Sequence, residues 1–292
     1  MTATALAAPA KINLTLEVLA QRADGYHALR SVMVPIGLAD ELSFAPSERF
    51  SFACEPASLE PGNLVPRAFA QIGLAEAPFA VTLRKRVAVG AGLGGGSSDA
   101  AAVLRAAIDG SFGPLAPRDW IADARALGSD VPFFLAGAPA LIEGTGERVT
   151  ALGAPPPWWV VLVVPDVHVA TGDAYLRLAA ERAVTAPPTR PRASSATIRC
   201  GEALQRHDFA TAVAAMTNDF EPVIARAYPP VAAALDALRA AGAARPMLSG
   251  SGAACFAVAA AEGDARRIAS ALRAPEGARV RVVPFGASDA WR

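Results

Sequence analysis

The stretch Val87-Ala88-Val89-Gly90-Ala91-Gly92-Leu93-Gly94-Gly95-Gly96-Ser97-Ser98-Asp99 decides how this chain is read. It follows a run in which Phe79, Val81 and Leu83 alternate like one face of a strand. It opens into Ala100-Ala101-Ala102-Val103-Leu104-Arg105-Ala106-Ala107, a series of strong helix formers. The glycines therefore fall at a helix N-terminus. There they let the backbone take positive φ and approach a ligand, while the first helical N–H groups lack intrahelical acceptors and carry the positive end of the dipole. Such a place seats an anion. A polyphosphate suits it best, because several oxygens meet several amides at once.

Other readings of the glycines fit less well. Walker A requires a lysine after its last glycine, and none follows here. Gly90, Gly92 and Gly95 satisfy G-x-G-x-x-G, but a dinucleotide site also needs a second strand ending in an acid about 20 residues on. This helix instead runs to Asp109-Gly110 and then into more helix. A Gly/Ser linker would not be clamped between an apolar strand and an Ala-rich helix.

A length of 292 residues and a 53% hydrophobic composition suffice for two domains with sizeable cores. The formal charge is zero and the basic residues are scattered, which argues against a nucleic-acid surface or a membrane-binding stripe. Cys54, Cys200 and Cys255 are odd in number and far apart, so neither a disulfide framework nor a zinc cluster is expected, and a reducing cytoplasm fits. Met1 to Pro9 lacks the pattern of a signal peptide, and no apolar run reaches the roughly 20 residues of a membrane span. Two stretches read as breaks, Ala154-Pro155-Pro156-Pro157 and Thr185-Ala186-Pro187-Pro188-Thr189-Arg190-Pro191. The first is expected to divide a domain of residues 1–154 from one of residues 155–292.

Near the start, Ile12, Leu14, Leu16 and Val18 alternate with Lys11, Asn13, Thr15 and Glu17, the period of a half-buried strand whose polar face presents Lys11 and Asn13. A tight turn follows in Gln21-Arg22-Ala23-Asp24-Gly25-Tyr26-His27. Its Tyr26 and His27 read either as a turn aromatic beside a solvent histidine or as a stacking platform with a hydrogen-bonding edge for a flat polar ring. Three further strands are expected at Val32 to Ile36, Glu41 to Phe44 and Phe50 to Cys54, with a helix near Asn63 to Gly73 and another from Arg118 to Leu127, ended by Gly128. Asp130, in Ser129-Asp130-Val131-Pro132, is either a cap or turn residue, or a carboxylate at the edge of an apolar cluster (Phe133, Phe134, Leu135) where burial tunes its proton affinity. Glu143-Gly144-Thr145-Gly146-Glu147 is expected to join two strands.

The second half reads as strand Trp158 to Val164, several helices, strands Met247 to Ser249 and Cys255 to Val258, a helix from Ala265 to Leu272, and a last strand, Arg279 to Val283. That order predicts an α+β sandwich of ferredoxin type. Ser249-Gly250-Ser251-Gly252-Ala253 is either a plain hairpin turn or a second close backbone approach to an anion.

Several segments now stand in order: Pro9-Ala10-Lys11-Ile12-Asn13-Leu14, Arg22 to His27, Gly92 to Ala101, Leu127-Gly128-Ser129-Asp130-Val131-Pro132-Phe133, and Ser249 to Ala253. Together they resemble the GHMP family of small-molecule kinases, and within it the branch acting on 4-diphosphocytidyl-2-C-methyl-D-erythritol, over nearly the whole chain. The resemblance implies a two-domain α+β architecture, with a strand-rich N-terminal domain bearing the Gly-rich phosphate loop and a ferredoxin-like C-terminal domain. It implies transfer of the ATP γ-phosphoryl group to the 2-hydroxyl of that substrate, a step in the non-mevalonate isoprenoid route.

Residue by residue, the resemblance makes Lys11 and Asp130 the catalytic pair. The loop from Ala88 to Ser98 would wrap the ATP phosphates, with Asn63 and Lys85 beside the adenine. Tyr26 and His27 would stack on and read the cytosine, and Tyr175 would supply a second aromatic. Asn13 would face the methylerythritol end, and Gly250, Ser251 and Gly252 would lie on the substrate side. Mg²⁺ is expected to accompany ATP because the phosphates need neutralising. Its ligands are unassigned, with no obvious acid beyond Asp130 and Asp99. Asp99 suits the helix dipole but would repel phosphate, so it is expected to turn away or to meet a metal ion. Ala88 departs from the family, many of whose loops have proline there. A cytoplasmic monomer or weak homodimer is expected, with no nucleic-acid or membrane partner. The competing readings are another GHMP kinase, acting on homoserine, mevalonate or a sugar, and a non-catalytic nucleotide binder on the same scaffold.

Overall fold

A computed structural model describes residues 4–21, 27–184 and 195–287. In chain order the elements are β1 (Thr4–Gln21), β2 (His27–Pro46), β3 (Ser51–Glu55), α1 (Leu64–Gln71), β4 (Phe79–Arg84), α2 (Gly95–Ile108), α3 (Trp120–Leu127), α4 (Val131–Ala136), β5 (Ala140–Gly144), β6 (Arg148–Ala151) and β7 (Trp159–Val164). Then follow α5 (Thr171–Val184), α6 (Ala196–Gln205), α7 (Phe209–Ala214), β8 (Thr217–Asn218), α8 (Glu221–Ala227), α9 (Pro229–Ala240), β9 (Met247–Leu248), β10 (Cys255–Ala259), α10 (Glu262–Ala271) and β11 (Arg279–Pro284).

Two sheets organise these elements. The larger runs β3-β4-β2-β1-β8, with β5 paired to β2 and to β6. The smaller, ordered β11-β7-β10-β9, is antiparallel throughout and has the strand order of a ferredoxin-type sandwich. The two meet across a shared apolar layer, in which Ile12, Val34, Ile36 and Leu93 pack with Val160, Leu162, Met247 and Phe256. A second core lies on the other side of the large sheet, where the small side chains of Ala100, Ala101 and Ala102 let α2 sit close against Phe69, Phe133 and Phe134.

Three features depart from the sequence reading. The strands expected at Val32–Ile36 and Glu41–Phe44 are parts of the single long β2, which passes through Pro35 and Gly37 without a break because β1 and then β4 pair along its length. The polar face of β1 is not solvent-exposed. Lys11, Asn13, Thr15 and Glu17 are all buried, and the face is satisfied internally: Asn13 Nδ2 donates to Ser31 Oγ (2.8 Å), Ser31 Oγ to the Thr15 carbonyl (2.5 Å), and Val32 N to Thr15 Oγ1 (2.8 Å). Finally, β8 comes from the second half of the sequence yet pairs in parallel with β1 at Thr15 and Leu16.

Register shifts in the β1–β2 pairing fall between Pro9 and Lys11 and between Asn13 and Thr15. Bulges of this kind bend a strand and re-aim its side chains, and here they flank the two polar residues that face the glycine loop.

Candidate active site

The glycine loop leaves β4 and becomes the first turn of α2, whose N-cap position is Gly94 (φ 70) with no side chain to cap it. Its carbonyls are turned into the protein. Ala91 O accepts from Ala254 N (3.0 Å), Gly92 O from Ser249 Oγ (3.0 Å), and Leu93 O from Lys11 N (2.9 Å). Leu93 and Ala91 bury their side chains in the core beneath. The amides from Gly92 to Ser97 donate to no protein acceptor among the described residues. A run of unpaired donors at an uncapped helix start, facing an open cleft of about 780 Å³, is an anion cradle.

The Ser249–Gly252 turn holds the cradle from behind. Gly92 has φ +76, and a Cβ there would stand 2.0 Å from the Ser249 carbonyl oxygen, so only glycine allows the two backbones this close. The turn is pinned in its own right by Asn218, whose Nδ2 donates to the carbonyls of Leu248 and Gly250, both at 2.8 Å. Thus the C-terminal small-residue turn is a backbone approach to the glycine loop, and Gly250 and Ser251 reach the cleft.

Lys11 and Asp130 meet at the edge of the cradle. Lys11 Nζ lies 3.7 Å from Asp130 Oδ2 and donates to Asn13 Oδ1 at 2.6 Å. The Lys11 side chain is 5% exposed and that of Asp130 31%, so the ammonium is held inside while the carboxylate fronts the cleft. Burial pushes the Lys11 pKa down, and the charge and contact of Asp130 pull it part of the way back. Asp130 occupies the N-cap position of α4, yet its side chain makes no cap hydrogen bond. Of its two sequence readings, therefore, the position is that of a cap while the carboxylate is not spent on capping.

Tyr175 lines the cleft, and His27, which is not itself among the lining residues, stacks on it at 5.5 Å between ring centroids and 26° between planes. Tyr175 also meets Phe220 edge-on at 4.9 Å. Burial and then the nearby Asp130 raise the Tyr175 pKa. Tyr26 lies outside the described residues. Asn13 lines the cleft from β1, fully buried.

Asn63 also lines the cleft, but its side chain is engaged as the N-cap of α1, accepting from Val65 N at 3.0 Å and donating to Leu59 O at 3.0 Å. Lys85 also borders this region. Its ammonium is bound to Asp40 (2.5 Å) and Asp99 (2.6 Å), so the Asp99 carboxylate is engaged by this lysine at the wall of the cleft.

Two residues expected in the site are not brought to it. Ser98 N donates to Gly94 O within the helix (2.9 Å) and its side chain is fully buried, because one turn into α2 the chain has already entered the core. Gly252 is buried and its amide donates to Ser249 O (2.9 Å), so it closes the turn rather than facing a ligand.

The sequence reading also missed contributors. His168, in the segment before α5, packs on the glycine loop, where a Cβ on Gly90 would lie 2.6 Å from its Nδ1. Thr171 at the start of α5 shares a hydrogen bond with Ser251 (3.1 Å). Thr145 and Gly146 line the cleft from the β5–β6 turn, which packs on the backbone of Ser129. In the sequence, Gly146 stands in a Gly-Thr-Gly turn, a pattern that signals a hairpin and nothing of the cleft.

Among the described residues no helix is long and apolar enough to cross a membrane, and no group of three or more His, Cys, Asp or Glu side chains is placed to hold a metal ion.

Comparison with known proteins bears on this geometry at every level. The family model described as the GHMP kinases N terminal domain matches residues 63–138, and that described as GHMP kinases C terminal matches residues 202–276. The chain is 40% identical over 274 residues to 4-diphosphocytidyl-2-C-methyl-D-erythritol kinase of Moorella thermoacetica, covering 92% of this chain and 94% of that one. It is 41% identical over 280 residues to the kinase of the same name from Pelotomaculum thermopropionicum, covering 94% of each. A crystal structure of 4-(cytidine 5'-diphospho)-2C-methyl-D-erythritol kinase superposes with a TM-score of 0.79 at 35% identity, over 98% of this chain and 100% of that one. Homoserine kinase from Cytophaga hutchinsonii, at 18% identity and a TM-score of 0.70 over 98% of this chain and 96% of that one, shares the fold. With its free amide cradle, its buried lysine beside a cleft carboxylate and these relatives, the chain belongs to the GHMP kinase family, in its 4-diphosphocytidyl-2-C-methyl-D-erythritol kinase branch.

Proposed function

We propose that the chain moves the γ-phosphoryl group of ATP onto the 2-hydroxyl of 4-diphosphocytidyl-2-C-methyl-D-erythritol, in the non-mevalonate supply of isoprenoid precursors. The observation that carries this reading is the run of unpaired amides from Gly92 to Ser97 with Lys11 and Asp130 at its edge. Phosphoryl transfer asks a protein chiefly to position two substrates and to balance charge. In this reading the cradle amides hold the polyphosphate. Asp130, its carboxylate free of any cap, accepts the hydrogen bond of the acceptor hydroxyl, orients it and takes its proton. The Lys11 ammonium stabilises the carboxylate and the charge on the transferring group, and Asn13 fixes the ammonium by accepting one of its hydrogens. A pure nucleotide binder has no use for such a pair.

On the other side, His27 and Tyr175 offer flat faces to a cytosine ring, with Asn13 nearer the polyol. Ala88 to Ser97 serve the nucleotide, with Asn63 and the rim near Lys85 toward its base. Gly250 and Ser251 serve the substrate side. We place the division between the two domains at residues 154 and 155, in the proline-rich stretch before β7.

ATP is the donor throughout this family, generally with magnesium. Among the described residues no group of three or more His, Cys, Asp or Glu side chains is placed to hold the ion, so magnesium would accompany the nucleotide and supply neutralisation of its phosphate charge. No step above depends on a protein ligand to it.

The test is an acceptor panel. Purified chain with Mg-ATP and the cytidyl substrate, homoserine, mevalonate or galactose is analysed by mass spectrometry. A product one phosphoryl group heavier with the cytidyl substrate alone is the expected result. Phosphorylation of homoserine or mevalonate instead would move the chain to another branch, and no product with any acceptor would leave only the binder.

A further inference from the structure

Beneath the amide cradle lies a buried charge cluster that the transfer described above does not use. Lys85, just past the end of β4, donates to Asp40 Oδ2 on β2 (2.5 Å) and to Asp99 Oδ2 on α2 (2.6 Å), and the three side chains are 6%, 0% and 1% exposed. Asp40 is fully employed, since its other oxygen accepts from Arg86 N (2.5 Å) and Val87 N (2.8 Å), the backbone that leads into the glycine loop. Asp99 is not. Its Oδ1 is buried without a hydrogen-bond partner among the described residues. Two carboxylates thus share one ammonium in a place shielded from water, where an uncompensated charge is expensive. The cluster also sits close to the cradle: Lys85 Nζ is 3.2 Å from where a Cβ on Gly95, the first residue of α2, would be.

We propose that Asp99 is a positioning residue which, through Lys85, pins the opening turn of α2 to β2 and β4, and which takes up a proton as a polyphosphate settles on that turn. The inference rests on the reading of the cradle as the nucleotide site. Its electrostatic logic is direct: an incoming polyanion one helical turn away disfavours the ionised form of a buried carboxyl that already has an unpartnered oxygen.

The surroundings of Asp99 support this. Burial raises its pKa most, Lys85 pulls it down, and Asp40 pushes it up again, to about 7. Burial alone would lower Lys85, but Asp99 and Asp40 together outweigh it, so that ammonium keeps its proton. Cys54 on β3 stands in the same field, its thiol raised by burial first, with Lys85 opposing and Asp99, Glu60 and Asp40 adding. From α1, α3 and α4 the side chains packed into this core are Val65, Ala68 and Phe69, Ala124 and Leu127, Phe133 and Phe134, and α3 also buries Asp123, which is paired with Arg118 (2.6 Å) and accepts from Gln71 Nε2 (2.8 Å). Lys11 of β1 faces the other flank of the loop, against Gly94.

The sign follows from linkage. Bound polyanion favours protonated Asp99, so its pKa rises further in the complex, and affinity falls as pH climbs above the value in the free protein, by up to about tenfold per pH unit. The experiment is calorimetric titration of the full chain with a non-hydrolysable Mg-ATP analogue at pH 7.5, in two buffers of different ionisation enthalpy. A net uptake of a sizeable fraction of one proton is expected for the unaltered chain and for His168→Gln, which removes the imidazole packed on Gly90. It is expected to vanish in Asp99→Asn, whose affinity stays level from pH 6.5 to 8.5 while that of the unaltered chain declines.

Should Asp99→Asn not fold, Asp40→Asn provides the second arm. Loss of that negative neighbour lowers the Asp99 pKa and moves the decline in affinity to lower pH. Tight binding with no proton uptake, or the same uptake in Asp99→Asn, would overturn the inference and leave the cradle reading standing. Absence of any nucleotide binding would remove both.

Discussion

Lys11 Nζ stands 3.7 Å from Asp130 Oδ2, although one residue lies on the first strand and the other on the turn that opens α4. Lys11 is held by its backbone bond to Leu93 and its side-chain bond to Asn13, so the pair is fixed to the glycine loop itself. If the Asp130 carboxylate orients and deprotonates the acceptor, Asp130→Asn should lower kcat by on the order of 10²–10⁴-fold. Nucleotide affinity should stay within a few-fold, because the cradle amides are untouched. Comparing kcat with nucleotide Kd for this variant checks the point. Near-normal turnover would take Asp130 out of the chemistry.

The lowered pKa of Lys11 gives a pH prediction. Burial depresses it below the ordinary 10.5, with Asp130 offsetting part of the effect. The charged form is the active one, so activity is present at neutral pH and is lost as pH rises through the depressed value. The alkaline limb of kcat/KM should therefore fall below the ordinary lysine range. Lys11→Met should abolish that limb together with most of the activity. A profile flat to the ordinary lysine pKa would disconnect Lys11 from the reaction.

Tyr175 is expected to hold the base by its face. Removing the ring in Tyr175→Ala should weaken binding of the cytidyl substrate by about 1–3 kcal/mol, the scale of a base–aromatic stack. It should leave the nucleotide KM unchanged, because the ring contacts of Tyr175 are with His27 and Phe220 and not with the glycine loop. An acceptor KM equal to that of the unaltered chain would assign Tyr175 to packing against Phe220 alone.

Gly92 joins the two halves of the site. With φ +76 and a Cβ position 2.0 Å from the Ser249 carbonyl, Gly92→Ala must push the Ser249–Gly252 turn off the glycine loop. A destabilisation of at least about 2 kcal/mol in denaturant unfolding is expected from the strained backbone and lost contacts, along with a sharp loss of activity. Gly110, also at positive φ but with nothing within 4 Å of its Cβ position, should cost less on replacement by alanine, about 1 kcal/mol. Equal costs at the two sites would contradict the tight docking.

Where sequence reasoning succeeded, the signal was local. The glycine loop, α2 and the ferredoxin-type order of β7, β9, β10, α10 and β11 all follow from contrasts between neighbours, such as glycine against alanine or period-two runs between breaks. Its failures were tertiary. The length of β2 was hidden because Pro35 and Gly37 look like punctuation until β1 is seen pairing across them. The polar face of β1 reads as solvent-bound, since nothing local shows that Ser31 and the Val32 amide on the neighbouring β2 satisfy it. β8 has only two residues and α4 only six, too few for any period. Within the site, Ser97 and Ser98 are indistinguishable by composition, and only the helical rotation sends one to the cleft and the other to the core. His168 carried no motif at all, and its place beside Gly90 is a product of the fold.

Lys11 and Asp130 are placed to converge on the reacting atoms. A crystal structure of the full chain with a non-hydrolysable Mg-ATP analogue and the cytidyl substrate measures this most directly. The account predicts the substrate 2-hydroxyl within hydrogen-bond distance of the Asp130 carboxylate, the terminal phosphorus in line beyond it, and the Lys11 ammonium beside both. A terminal phosphate seated away from the Gly92–Ser97 amides, or a 2-hydroxyl out of reach of Asp130, would contradict it.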